Sequence, residues 1–260
     1  MIVAESISHS YRNLPVLRGI DIEVKSGEIL GIVGPNGAGK TTLLKILSGI
    51  LKPTSGAVLI NGVDIFSMEN AKRAKSISVV PQNAQIPDEI TVMDTVLVGR
   101  NPHLRVFQWE SVSDYKIAEE ALKLTGLESL SSRPVRELSG GERQRTVLAM
   151  ALAQDCPIML LDEPVNSLDL QHQYSIMDLV NQLVNDRVEC AVVSMHDLTL
   201  AGQYCDRLVM LSDGMVLVDG SPAEVLTEDN ILMVYGVNVS VIPHPQTGTP
   251  VVMGISRYLE

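Results

Sequence analysis

The sequence predicts an α/β fold: a mixed, largely parallel sheet, an antiparallel β subdomain and a helical insertion subdomain. Three observations predict it. Short aliphatic runs at 29–33, 158–161 and 191–195 read as buried strands. The last two are separated by an amphipathic pattern over about 171–185, the strand–helix–strand rhythm of a parallel sheet. From about Asp88 to Ala153 the patterns are helical throughout, in "TVMDTVLVGR", "YKIAEEALKLTGL" and "RQRTVLAMALAQ", with no convincing strand among them.

Taken in order, the first thirty residues alternate and lead into "GEILGIVG", then "GPNGAGKT", then "TLLKILSGILKP". There Leu43, Leu44, Leu47, Ile50 and Leu51 recur at helical spacing, and Pro53 stops the helix. "SGAVLINGVDI", residues 55–65, is a hairpin pattern with Asn61-Gly62 at its turn. A second hairpin, "RLVMLSDGMVLVDG", turns at Asp213-Gly214. From about Gly236, prolines and glycines predict an irregular tail. The organisation expected is one domain over 1–235, the helical part (about 88–153) inserted in it, and a tail over 236–260. No internal repeat or low-complexity segment is present.

Composition narrows the function. A chain of 260 residues can bury a real core, and with 45% hydrophobic but 3% aromatic residues that core must be aliphatic. A net charge of −11 supplies no basic face, which argues against a nucleic-acid partner. Cys156, Cys190 and Cys205 share no CxxC spacing and read as reduced core fillers. His9, His103, His172 and His244 lack metal-ligand spacing and read as surface or loop residues. The opening "MIVAESISHSYR" has neither the basic start nor the apolar stretch of a secretory signal. No apolar run approaches the ~18 residues of a membrane helix, so a role at a membrane would need a separate spanning partner.

The chemistry begins at "GPNGAGKT", which matches the strand–GxxxxGK[ST]–helix pattern of a P-loop NTPase core. The loop of Gly34, Pro35, Asn36, Gly37, Ala38 and Gly39 would wrap a phosphate with its backbone N–H groups, Pro35 having none to give, and the helix that follows points its positive end at the same phosphates. Lys40 adds a charge at the outer phosphates, the Thr41 hydroxyl can ligate Mg²⁺, and Thr42 completes the nucleotide-binding run. In "IMLLDEP" a buried strand ends in Asp162, an acidic partner for the metal, and Glu163, placed to act as general base toward water. "ELSGGERQR" sets Ser139, Gly140 and Gly141 at a helix mouth, where N–H groups without helical partners suit an anion.

The order of these motifs resembles the nucleotide-binding subunit of an ATP-binding cassette transporter over nearly the whole chain: phosphate loop, "LSGGERQR" (138–145), "LLDEP", "SLD" (167–169), then "SMHD" with His196. The resemblance implies an ATPase that uses ATP and Mg²⁺. It implies that Ser139, Gly140, Gly141 and Glu142 meet the γ-phosphate held by the opposite protomer of a homodimer. Tyr11 would stack on adenine, Gln82 would contact Mg²⁺ and the attacking water, and His196 would contact the γ-phosphate. Asp169 would link the two sites, and the metal would be served by Thr41, Gln82 and Asp162. Some positions depart from the commonest pattern: Val165 and Asn166 stand where many relatives carry small hydroxyl residues, Ser194-Met195 precedes His196, and Glu142 replaces the usual glutamine. None of these removes a ligand.

"TVMDTVLVGRNPH" (91–103), "LTGLESLSSRPVRELSGGERQR" and "VYGVNVSVIPHPQTGTPVV" further resemble the import subgroup for ferric siderophores, haem and cobalamin. That implies integral membrane permease subunits, docked through the helical insertion, a substrate-binding protein acting indirectly, and a peripheral location on the cytoplasmic face of the cell membrane. Two alternatives remain. A non-transport cassette ATPase acting on ribosomes or DNA would carry two cassettes or long coiled-coil arms, and an export motor would carry fused membrane helices or a differently patterned docking stretch.

Overall fold

The computed structural model describes residues 1–105, 107–166 and 168–255. They form two compact units, Met1–Phe66 with Glu189 onward, and Ser67–Val188. The first unit opens with β1 (Ile2–Tyr11), β2 (Leu14–Val24), β3 (Glu28–Val33), α1 (Lys40–Leu47), β4 (Ser55–Ile60) and β5 (Val63–Asp64). The second holds α2 (Asn70–Ala74), β6 (Ile77–Val80), α3 (Val92–Val98), α4 (Val112–Leu124), α5 (Gly140–Ala153), β7 (Ile158–Asp162) and α6 (Leu170–Asp186). The chain then completes the first with β8 (Cys190–Ser194), α7 (Leu198–Tyr204), β9 (Arg207–Ser212), β10 (Met215–Gly220), α8 (Pro222–Val225), α9 (Glu228–Tyr235), β11 (Val239–Pro243) and β12 (Pro250–Gly254).

In the first unit, β2, β1, β4 and β5 make an antiparallel sheet in that order. The hairpin read at Asn61-Gly62 is present: Ile60 faces Val63, and Asn61 and Gly62 take the positive φ that a tight hairpin turn demands. β1 contains a bulge. Ser6 has φ 49° and its N–H donates to Asp21 Oδ1 at 2.7 Å, and the register shifts between Ala4 and Ile7. One extra residue flips the inward face from Ile2 and Ala4 to Ile7 and His9. His9 is therefore buried, against the surface or loop position read from the sequence.

The other sheet of the first unit runs β10-β9-β3-β8. β3 is parallel to both β8 and β9, and all six of its residues are buried, as a continuous aliphatic run predicts. The tail is not irregular. β11 and β12 pair antiparallel from Val239–Gly254 to Pro243–Pro250. The prolines sit at the strand ends, where a missing N–H costs little, so they bound the hairpin and do not break it. Thr199 Oγ1 of α7 accepts from Val252 N at 3.0 Å and fixes β12.

In the second unit, β6 and β7 run parallel, Ile77 beside Ile158 through Val80 beside Leu161. The sequence reading passes over β6, whose four residues before Pro81 are too few to show a period. Helices α3, α4 and α5 close around Val92, Val96, Leu97, Ala118, Ala121, Leu122 and Ala149. One ion pair lies inside: Arg100 Nε meets Asp114 Oδ1 at 3.0 Å, and the same guanidinium donates to Ala153 O at 2.7 Å. Hydrogen bonds from Ser111 and then from Arg100 hold the Asp114 carboxyl down at about 2. Satisfying every donor is what lets a buried pair stand. All three cysteines are buried and free, and burial pushes the thiols up, Cys156 to about 12 and Cys190 to about 11, so they act as apolar filler.

Candidate functional site

The phosphate-loop half belongs to the first unit. β3 delivers the chain to Gly34, and α1 begins at Lys40. Between them Gly34, Gly37 and Gly39 have φ of 150°, 84° and 104°. Gly34 is also forced by space, since a Cβ there would lie 2.4 Å from Leu211 O; at Gly39 a Cβ would lie 2.6 Å from the movable Leu17 Cδ2, and the positive φ is what demands glycine. Pro35 is half-buried, Asn36 and Gly37 are exposed, and Ala38 and Thr42 are buried. Gly39 caps α1 in the left-handed region with no side-chain hydrogen bond, and no acidic residue occupies the first turn. Gly39 thus supplies no side-chain cap to the first N–H groups of α1. Lys40 is 5% exposed, and its Nζ donates to Gly34 O at 2.7 Å and Pro35 O at 3.1 Å, lacing the two ends of the loop together.

The sheet also places His196 in this unit. Ile32 of β3 faces Ser194 of β8, and Met195 N donates to Ile32 O at 3.0 Å. The exposed His196 follows directly, beside the carboxyl end of the strand that feeds the loop. Tyr11 ends β1 with 46% of its surface exposed, its ring edge-on to that of His9 at 4.8 Å. That exposed face is what an adenine would need.

The acidic half belongs to the second unit. β7 is buried along its length and ends at Asp162, and Asp162 and Glu163 are both buried. Glu163 has φ 50°, a conformation that costs a non-glycine residue about 1 kcal/mol. It turns the chain sharply, and Asn166 N closes the turn on Glu163 O at 3.2 Å. Because Val80 lies beside Leu161, the residues just past both strands come together. Gln82 Nε2 accordingly donates to Glu163 Oε2, and Asn166 Nδ2 donates to the same oxygen at 3.0 Å. The sequence marks Asn166 only as a departure from a common pattern; its contact with Glu163 depends on a left-handed turn that residue types do not reveal.

The helix mouth in "ELSGGERQR" is built differently from expectation. Ser139 caps α5 in a reciprocal box: its Oγ accepts from Glu142 N at 3.3 Å, while Glu142 Oε2 accepts from Ser139 N at 2.7 Å and from Ser139 Oγ at 2.8 Å. Ser139 therefore does not present a spare N–H, and the Glu142 carboxyl is held below its usual range by those bonds. Gly140 and Gly141 follow as the first helical residues, where N–H groups have no partner one turn back. The His172 ring packs on Gly141, 3.5 Å from where a Cβ would sit. His172 also binds Asp169, the cap of α6, through its Nδ1 at 2.6 Å and its N–H at 2.9 Å, which lowers the Asp169 pKa. Ser167 of the same loop lies outside the described residues.

A Mg²⁺ ion carried by a nucleotide takes most of its ligands from phosphates and water and few from protein. Thr41, Asp162 and Gln82 are hard oxygen donors of the kind it takes. Among the described residues no cluster of three or more His, Cys, Asp or Glu offers a protein cage for a metal instead.

A glycine loop feeding a lysine-led helix, a strand-end Asp-Glu pair and a Ser-Gly-Gly helix mouth together define a cassette-type nucleotide hydrolase. The model of the ABC transporter family matches residues 17–166, and the chain belongs to that family, whose cassettes bind and hydrolyse ATP. It is 41% identical over 233 residues to the cobalamin import ATP-binding protein of Halobacterium salinarum, covering 90% of this chain but only 58% of that one. It is 36% identical over 253 residues to the ferric enterobactin transport ATP-binding protein of Escherichia coli, covering 97% of this chain and 93% of that one. A solved ABC transporter described as of metal-chelate type, in an inward-facing conformation, matches with a TM-score of 0.87 at 26% identity over 100% of this chain and 99% of that chain.

Proposed function

We propose that this cassette powers import of a metal-chelate cargo, an iron siderophore, haem or cobalamin. It works as a homodimer on the cytoplasmic face of the cell membrane, through separate permease subunits served by a substrate-binding protein. The observation that carries the dimer is the presence, in one chain, of two helix starts set in glycine-bearing motifs, α1 and α5. The cargo class is supported by the names of the two import relatives and by the metal-chelate transporter of matching fold. Among the described residues no helix is long and apolar enough to cross a membrane.

In this reading the backbone N–H groups of the 34–39 loop other than Pro35 and the Lys40 ammonium hold the phosphates of ATP, and Tyr11 stacks on its base. Thr41, Asp162 and Gln82 hold Mg²⁺, which neutralises phosphate charge. Glu163 draws the proton from the attacking water, and His196 touches the γ-phosphate. Gly140 and Gly141, on the frame set by Ser139 and Glu142, meet the γ-phosphate of the partner's ATP, and Asp169 carries the state of one site to the other. ATP then holds the two cassettes together, and hydrolysis releases them; only such differential affinity can drive a motion. The stretch 91–103 is mostly core, with Val92, Val96, Leu97 and Arg100 buried. Downstream, Phe107, Trp109 and Val112 are exposed, an apolar face suited to the permease.

The test is reconstitution with the permease in lipid and addition of binding protein loaded with cobalamin, haem or a ferric siderophore in turn. Stimulation of ATP hydrolysis by one cargo is the expected result. Intact basal hydrolysis with no stimulation by any would keep the cassette and break the importer assignment.

A further inference from the structure

The Glu163 side chain is not left to find its own place. Two amides donate to one of its oxygens, Gln82 from beyond β6 and Asn166 from its own turn. A carboxylate only accepts, so each amide must present its nitrogen. Hydrogen bonds to an ionised acceptor are among the stronger ones. The two donors differ in how they are tied. Asn166 is bound to Glu163 twice, through Nδ2 to the carboxylate and through its backbone N–H to Glu163 O at 3.2 Å, within a four-residue turn. Gln82 is exposed and stands on a different stretch of chain.

We infer that Asn166 is the positioning residue for the Glu163 carboxylate, fixing it toward water, while Gln82, which donates to the same oxygen from a separate stretch of chain, has its amide oxygen to offer the metal. This rests on the reading of Glu163 as general base. Replacing Asn166 by Asp keeps size and shape but sets a second carboxylate against Glu163; replacing it by Ala removes the donor alone. A filler role would be spared by the near-isosteric Asp, whereas a positioning role would be damaged by it more than by Ala.

The experiment measures kcat and KM for ATP in the reconstituted complex for Asn166→Ala, Asn166→Asp and Glu163→Gln, and for Asn166→Ala in the Glu163→Gln background. The expected kcat losses are about 10-fold for N166A and about 100-fold for N166D, with KM for ATP within about twofold in both. In the E163Q background, N166A should change the residual single-turnover rate by less than about twofold, because a residue acting through Glu163 has nothing left to position. Wild-type kcat in N166D, or the same N166A loss in both backgrounds, would overturn the positioning role while E163Q remains inactive. Wild-type kcat in E163Q would overturn the Glu163 assignment and this inference with it.

Discussion

Two helices of this molecule start beside glycine, α1 after Gly39 and α5 at Gly140, yet their first turns are finished in opposite ways. α1 is capped by Gly39 in the left-handed region, with no side-chain hydrogen bond from the cap and no acid in its first turn. α5 is capped by Ser139 and Glu142 in a closed box, leaving Gly140 and Gly141 in front. A helix start without a capping side chain has N–H groups that suit an anion, and in the proposed reading α1 takes phosphate there. A helix start that supplies its own carboxylate is stable alone and has less to offer an anion. The difference fits a division of labour in which α1 binds ATP in a single chain and α5 adds the smaller contact that closes a dimer.

The largest expected effect lies at Glu163. Glu163→Gln should lower kcat by about 1,000-fold with ATP still bound, measured as single-turnover hydrolysis beside nucleotide content. Next comes the α1 mouth: Lys40→Ala should weaken ATP binding by about 100-fold, seen by calorimetry, and normal affinity would remove the claim that α1 is the primary anion site. Away from both mouths, Arg100→Ala should cost about 3 kcal/mol in denaturant unfolding, since it strands a buried carboxylate. The Asp114 carboxyl lies at about 2 in the fold against 3.8 ordinarily, so its contribution is present above pH 3.8 and lost as pH falls toward 2. Asp114→Asn should flatten that part of the acid unfolding curve. The smallest effect separates the two mouths most sharply: Glu142→Ala removes the α5 box and should cost about 1 kcal/mol of stability, with ATP affinity of the single chain unchanged.

The phosphate loop is legible in the sequence because its glycines are demanded by backbone geometry, as the positive φ at Gly34, Gly37 and Gly39 and the Leu211 O contact at Gly34 show. The buried strands are legible because aliphatic runs between turn residues admit few other readings. The buried His9 is not, since one bulge at Ser6 inverts the alternation after it. Nor is the pairing of Asn166 with Glu163, which follows from a single positive φ. The β11–β12 hairpin hides behind prolines whose ends-of-strand positions only the pairing shows. The Glu142 box was open to recognition: Ser139 and a glutamate three residues on form the S-x-x-E pattern of a capped helix start, a signal masked by reading the stretch as an anion site.

The division of labour is tested most directly by gel filtration of the Glu163→Gln chain with ATP, with and without Ser139→Arg, with nucleotide content measured in each peak. The account predicts a dimer for Glu163→Gln and a monomer that still carries ATP when Ser139→Arg is added. A dimer in both, or a monomer stripped of nucleotide, would contradict it.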